Sequence, residues 1–141
     1  MILLDTNQVS IIRMPSTERR ARLVERMALS QHESFGIPIV VVEETMRGWL
    51  AAIAKERLAQ RQVSAYRELG SLFGFFAHFH IAPFDFAAAD RFDLLQAAKV
   101  RIATRDLKIA AISLRNDAPL LTANRRDFEK VPGLRFENWL E

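Results

Sequence analysis

The chain opens on a short apolar run, residues 2–4, that stops at Asp5-Thr6-Asn7, residue types that favour turns and helix caps. The pattern predicts a buried strand ending in a loop, so a functional group at Asp5 would sit at a strand's carboxyl end. After Pro15, residues 17–29 set Leu23 and Met27 among Arg19, Arg20, Arg22 and Arg26, the spacing of an amphipathic helix with a basic face. Residues 35–42 are rich in β-branched side chains and carry Gly36 and Pro38, which predicts a second strand. From residue 43 to about 79 the periodicity is helical, read as two helices with no clear break between them. Trp49, Leu50, Ile53 and Leu58 are available there to pack inward, and Phe73, Phe75, Phe76 and Phe79 are read as core, with contact to another chain the alternative for some of them.

Residues 80–84 predict a third strand, and Asp85 an N-cap for an alanine-rich helix reaching roughly residue 102. A further helix is expected over about 105–114. The run 119–121 reads as a strand leading into Thr122-Ala123-Asn124, and 134–136 as an edge strand after Pro132-Gly133. Strands alternating with helices imply right-handed crossovers and a mostly parallel sheet covered on both faces, with ligand sites at the strands' carboxyl ends. No repeat, low-complexity tract or linker interrupts the 141 residues, and one domain over 1–141 is expected.

The absence of cysteine removes disulfides, thiolate metal sites and a cysteine nucleophile, so any metal must bind through oxygen or imidazole. Asp5 follows the first residues too closely for a secretory leader, and a cytoplasmic protein is expected. The most apolar stretch, 69–84, is broken by Gly70, Gly74, His78, His80 and Pro83 and is too short to span a bilayer. Net charge is only +3, but once four of the 17 acids are gathered in one site, the 20 basic residues outnumber the remaining acids by seven. Such a surface attracts phosphate backbones.

Asp5, Glu44, Asp106 and Asp127 are far apart in sequence, yet each falls at a predicted strand end or helix start. The topology allows them to converge. Carboxylates so gathered repel in a partly desolvated site, and a hard divalent cation such as Mg2+ or Mn2+, which takes oxygen ligands, relieves the repulsion.

Four ordered motifs carry a resemblance that covers nearly the whole chain. Ile2-Leu3-Leu4-Asp5-Thr6-Asn7 resembles the first strand and acidic start of PIN domains. Val42-Glu43-Glu44-Thr45-Met46-Arg47-Gly48 is similar to the family's second motif, a glutamate with a glycine four residues later, a registration that selects Glu44 over Glu43. Asp106-Leu107-Lys108-Ile109-Ala110-Ala111 resembles the third, in which an aspartate opens a helix with an Ile-Ala-Ala core stripe. Leu121-Thr122-Ala123-Asn124-Arg125-Arg126-Asp127-Phe128, followed by Val131-Pro132-Gly133-Leu134, is similar to the C-terminal signature. Gln8, where an aliphatic residue is common, and Thr45-Met46-Arg47 depart from the pattern without removing a ligand.

The resemblance implies a PIN-like three-layer α/β/α sandwich and a metal-dependent endoribonuclease of the VapC toxin type, from type II toxin–antitoxin pairs. Asp5, Glu44, Asp106 and Asp127 would be catalytic residues and Mg2+ or Mn2+ ligands, supported by Thr6, Asn7, Thr122 and Asn124, with Asn124 an alternative to Asp127 in completing the acidic site. It further implies cleavage leaving a 5′-phosphate and a 3′-hydroxyl, a structured RNA such as tRNA as target, a homodimer and a cognate antitoxin. Arg19, Arg20, Arg22, Arg26, Arg125 and Arg126 are candidates for RNA phosphate contacts.

Each assignment has a structural competitor. Asp5 could cap a short helix, Glu44 and Asp106 could be ordinary first-turn acids favoured by the helix dipole, and Arg125-Arg126-Asp127 a solvated turn. Asp85, Asp90 and Asp93 read as caps and surface charges, and His32, His78 and His80 lack metal-ligand spacing or a catalytic pair. A haloacid-dehalogenase type phosphohydrolase would want an acid where Asn7 stands, and a phospho-acceptor receiver domain an acidic pair and a late lysine. The serious alternative is a catalytically degenerate PIN domain that binds RNA or protein without cutting.

Overall fold

In the computed structural model, which describes residues 1–141, Ile2–Leu4 forms strand β1 and runs directly into helix α1, Thr6–Arg13. Asp5 has extended backbone and accepts from the Thr6 N–H, so the chain turns into a helix where the sequence suggested a loop. Helix α2, Glu18–Leu29, follows with Thr17 as its cap and Leu23 as its buried anchor.

Strand β2 is only Phe35–Pro38, and Ile39–Lys55 is helix α3, which corrects the expected strand over 35–42. The reason lies outside the segment. Pro38 pairs with Ala82, the last residue of strand β3, His80–Ala82, and β1 ends at Leu4. A strand continued past that line would leave its N–H and C=O groups without partners, whereas a helix pairs them internally despite the β-branched run Ile39-Val40-Val41-Val42. Val40 and Val41 are buried instead on the helix's inner side. Gly36 suits a tight spot, since a Cβ there would stand 3.0 Å from Met1 Sδ, 3.1 Å from the His80 carbonyl oxygen and 3.1 Å from the Leu3 side chain, and its neighbours would have to give way.

Helix α4, Ala59–Phe76, packs on α3, so the break left open between the two helices falls at residues 56–58. Leu50, Leu58 and Phe73 are exposed rather than inward, 49%, 58% and 68% respectively, while Phe76 is buried and Phe75 and Phe79 pack partly against the core. Asp85 caps helix α5, Phe86–Ala97, accepting from the Ala88 N–H at 2.8 Å. That helix stops five residues before the expected end at 102. Lys99 takes φ 60°, and the N–H groups of Lys99 and Val100 close back on the carbonyls of Gln96 and Leu95, a Schellman stop made without glycine. Helix α6, Thr104–Arg115, ends the same way, with Asp117 at φ 48° and Ala118 bonded to Ser113.

Strand β4, Leu120–Leu121, the short helix α7, Arg125–Phe128, and edge strand β5, Phe136–Glu137, complete the chain, β5 starting later than the expected 134–136. All pairings are parallel, in the order β3-β2-β1-β4-β5. Right-handed crossovers put α1 to α4 on one face and α5 to α7 on the other. The packing agrees, with α1 against α2 and α3, and α5 against α6. Leu3, Leu4, Ile37, Leu120 and Leu121 of the sheet meet Ile109, Ala110, Ala111 and Ile112 of α6 in one apolar cluster, all essentially inaccessible to solvent. The direction of winding reverses between β1 and β4, so the crevice beyond their carboxyl ends is the natural ligand position of this topology.

Candidate active site

Asp5 ends β1 and is 6% exposed, with both carboxylate oxygens held. Oδ1 accepts from the Thr6 N–H at 2.7 Å, and Oδ2 accepts from Thr122 Oγ1 at 2.7 Å across the reversal point. Burial pushes the Asp5 carboxyl up from its ordinary range; the Thr122 and Thr6 hydrogen bonds and Arg105 oppose this, and Glu44 adds to it. Asp5 is thus both helix cap and buried acid, so capping α1 does not take it out of the crevice.

Glu44 lies in the second turn of α3, because that helix starts at Ile39. One of its oxygens accepts from Thr6 Oγ1, and the other lies 3.0 Å from the Arg105 guanidinium. Asp106, in the first turn of α6, has its carboxyl pushed up to about 6, first by burial and then by Asp5, with Asp127 and Glu44 adding and Arg105 opposing. Asp106 thus lies within electrostatic reach of the other three sequence-selected acids.

Asp127 sits in α7 and is aimed by Asn124, whose Nδ2 donates to Oδ2 at 3.0 Å and whose side-chain Oδ1 accepts from the Asp127 N–H at 3.4 Å. Lys130 Nζ is 3.9 Å from the other Asp127 oxygen. Thr122 Oγ1 in turn accepts from the Asn124 N–H at 3.0 Å, so one chain of hydrogen bonds runs from α7 through Thr122 to Asp5. Asn7 is exposed and makes no hydrogen bond to these acids.

The all-oxygen donor set and the mutual repulsion recorded at Asp106 suit a hard divalent cation. No three acidic or histidine side chains stand in a ready coordination group, and Glu44 has both oxygens already engaged. Asp90, Asp93, His32, His78 and His80 are exposed and take no part.

The arginines of α2 are largely occupied within the chain. Arg20 donates to the Ile12 carbonyl at 2.9 Å, Arg22 pairs with Glu18 at 2.9 Å, and Arg26 meets Glu137 at 3.4 Å and stacks over Trp139. Arg19 and Arg126 are exposed, and Arg125 faces Glu129 at 3.9 Å. The cations beside the acids are different ones. Arg47, Arg105 and Lys108 line a cleft of about 290 Å³ with Glu44, and Lys99 and Arg101 line an open groove of about 770 Å³ with Asp127. Sequence reasoning missed Arg105, Lys108, Lys99 and Arg101 because no periodicity separates them from solvated surface charge; Arg105's place next to Asp106 is the one available signal.

A family model described as PIN domain matches residues 2–134. No curated protein sequence is significantly similar to the chain. Among solved structures, the chain is similar to one in DNA-bound VapBC from Salmonella typhimurium, at 24% identity, TM-score 0.73 and 99% coverage of both chains. It is also similar to one in VapBC-1 from nontypeable Haemophilus influenzae, at 20% identity, TM-score 0.73 and 100% coverage of both. A toxin–antitoxin complex from Klebsiella pneumoniae contains another, at 21% identity, TM-score 0.64 and 95% coverage of both. These likenesses share the fold. With a model match across nearly its whole length, acids included, the chain belongs to the PIN domain family.

Proposed function

We propose that the chain is a metal-dependent endoribonuclease acting as the toxin of a type II toxin–antitoxin pair. The observation that carries this reading is the meeting of Asp5, Glu44, Asp106 and Asp127, from four separate segments, at the winding reversal of the sheet. Asp5 and Asp106, with Glu44 and Asp127, would hold Mg2+ or Mn2+. When bound, the ion would supply an activated water and stabilise developing phosphoryl charge.

The chain's own residues have distinct tasks in this scheme. Thr122 and the Thr6 N–H each use one lone pair of Asp5, fixing its plane while leaving a lone pair on each oxygen for a ligand. Asn124 orients Asp127 in the same way. Arg47, Lys108, Lys99 and Arg101 flank the acids on two sides and would attract the RNA backbone, which makes them better placed for phosphate contact than the paired arginines of α2.

The antitoxin partner is inferred from the toxin–antitoxin complexes that share this fold, and a homodimeric state from the family resemblance alone. A second reading, an RNA- or protein-binding PIN domain without cleavage, draws support from the engagement of both Glu44 oxygens. The two separate on purified protein and RNA assayed with Mn2+, with Mg2+ and with chelator. Cleavage that needs metal and is lost in a folded Asp5→Ala variant is expected; equal behaviour in all three conditions would establish the binding module instead.

A further inference from the structure

We infer that Arg105 is an internal counter-ion that occupies Glu44 in the metal-free protein and must leave it for a divalent cation to bind, so that metal loading is an exchange of cations. The inference rests on the metal-site reading above.

Glu44 has two oxygens and two protein partners, Thr6 Oγ1 on one and the Arg105 guanidinium, 3.0 Å away, on the other. The Thr6 contact is neutral and local to the start of α1. Arg105 is the cationic one, and its charge also offsets Asp5 and Asp106. That oxygen keeps a free lone pair, as the Asp5 oxygens do, but a divalent ion on it would stand within about 5 Å of the guanidinium, and the repulsion between the two cations opposes simultaneous occupancy.

The exchange is mechanically simple. Arg105 is 49% exposed on the first turn of α6, Glu44 is 25% exposed, and both line the same cleft with Arg47, Thr104 and Lys108. A long side chain at a cleft mouth can swing to solvent without moving backbone. An ion pair this accessible has modest strength, which makes it displaceable. Neither of the other cations in that cleft pairs with Glu44: Arg47 is bonded to Glu43 at 2.9 Å, and Lys108 lies over the Phe84 ring.

The test is Mn2+ binding by calorimetry to chelator-treated protein, comparing wild type, Arg105→Ala, Arg105→Gln and Lys108→Ala, together with the melting temperature of each with and without Mn2+. Removing Arg105 should tighten Mn2+ binding roughly 10-fold and lower the metal-free melting temperature, so that Mn2+ stabilises the variant more than the wild type. Lys108→Ala, which removes an equal charge without touching Glu44, should change affinity no more than about 2-fold. In a Glu44→Gln background, Arg105→Ala should have a much smaller effect. Equal Mn2+ affinity in wild type and Arg105→Ala, or an equal gain in Lys108→Ala, overturns the exchange while leaving the metal site intact. No Mn2+ binding by any variant overturns the metal-site reading and the exchange with it.

Discussion

Thr122 Oγ1 donates a buried hydrogen bond of 2.7 Å to Asp5 Oδ2, joining positions 117 residues apart in the chain. Thr122 follows β4 and Asp5 follows β1, so the bond ties together the two strands between which the sheet changes its direction of winding. Thr122→Val keeps the shape and removes the donor, and it also removes the acceptor for the Asn124 N–H. A stability loss of about 1–3 kcal/mol at neutral pH is expected from the unpaired buried groups. Urea unfolding measures it, and metal-dependent RNA cleavage should fall alongside; an unchanged unfolding midpoint would remove Thr122 from this role.

Asp106 makes the metal-free protein sensitive to pH. Its carboxyl is raised from 3.8 to about 6, so the folded state favours the protonated form. That contribution is fully present below pH 3.8, the unfolded value, and is lost as pH rises through about 6. Asp5 shifts in the same direction. Asp106→Asn should therefore be more stable than wild type at pH 7 by roughly 1 kcal/mol, after allowance for solvent screening at this half-buried position, with the advantage shrinking toward pH 4. Melting temperatures of chelator-treated proteins across that range give the result, and parallel curves would contradict it.

Gln8 is fully buried on α1, and neither its carboxamide oxygen nor its nitrogen has a partner within the protein. Two desolvated polar atoms are a liability that an apolar side chain of similar length lacks. Gln8→Met should stabilise the fold by about 1–2 kcal/mol in chemical denaturation. A destabilised variant would mean that a buried water satisfies the carboxamide.

Lys99 holds a left-handed conformation, φ 60°, where it ends α5. Glycine adopts that conformation without the Cβ penalty, so Lys99→Gly should raise stability by up to about 1 kcal/mol. Because Lys99 also lines the groove beside Asp127, the same variant should bind RNA more weakly at low salt. A filter-binding salt titration together with a melting curve checks both halves, and a loss of stability would contradict the strain argument.

Much of this was written locally in the amino-acid pattern. The apolar run before Asp5, the Ile109-Ala110-Ala111 stripe and the cap at Asp85 depend on side-chain spacing and on hydrogen bonds to near neighbours, and the structure uses each of them as the pattern suggests. The four acids could be chosen because PIN-type motifs are short and ordered along the chain. Their meeting place could not be read that way, since it depends on strand order. Position by position, tertiary partners overrode local signals. Ile39 to Val42 became helix because β1 and β3 end too soon to pair a longer β2, and α5 ended at a left-handed lysine that no glycine announced. The occupation of Glu44 by Arg105 was equally invisible, because a contact between charges 61 residues apart arises only when the early turns of α3 and the start of α6 approach one another beyond the strands' carboxyl ends.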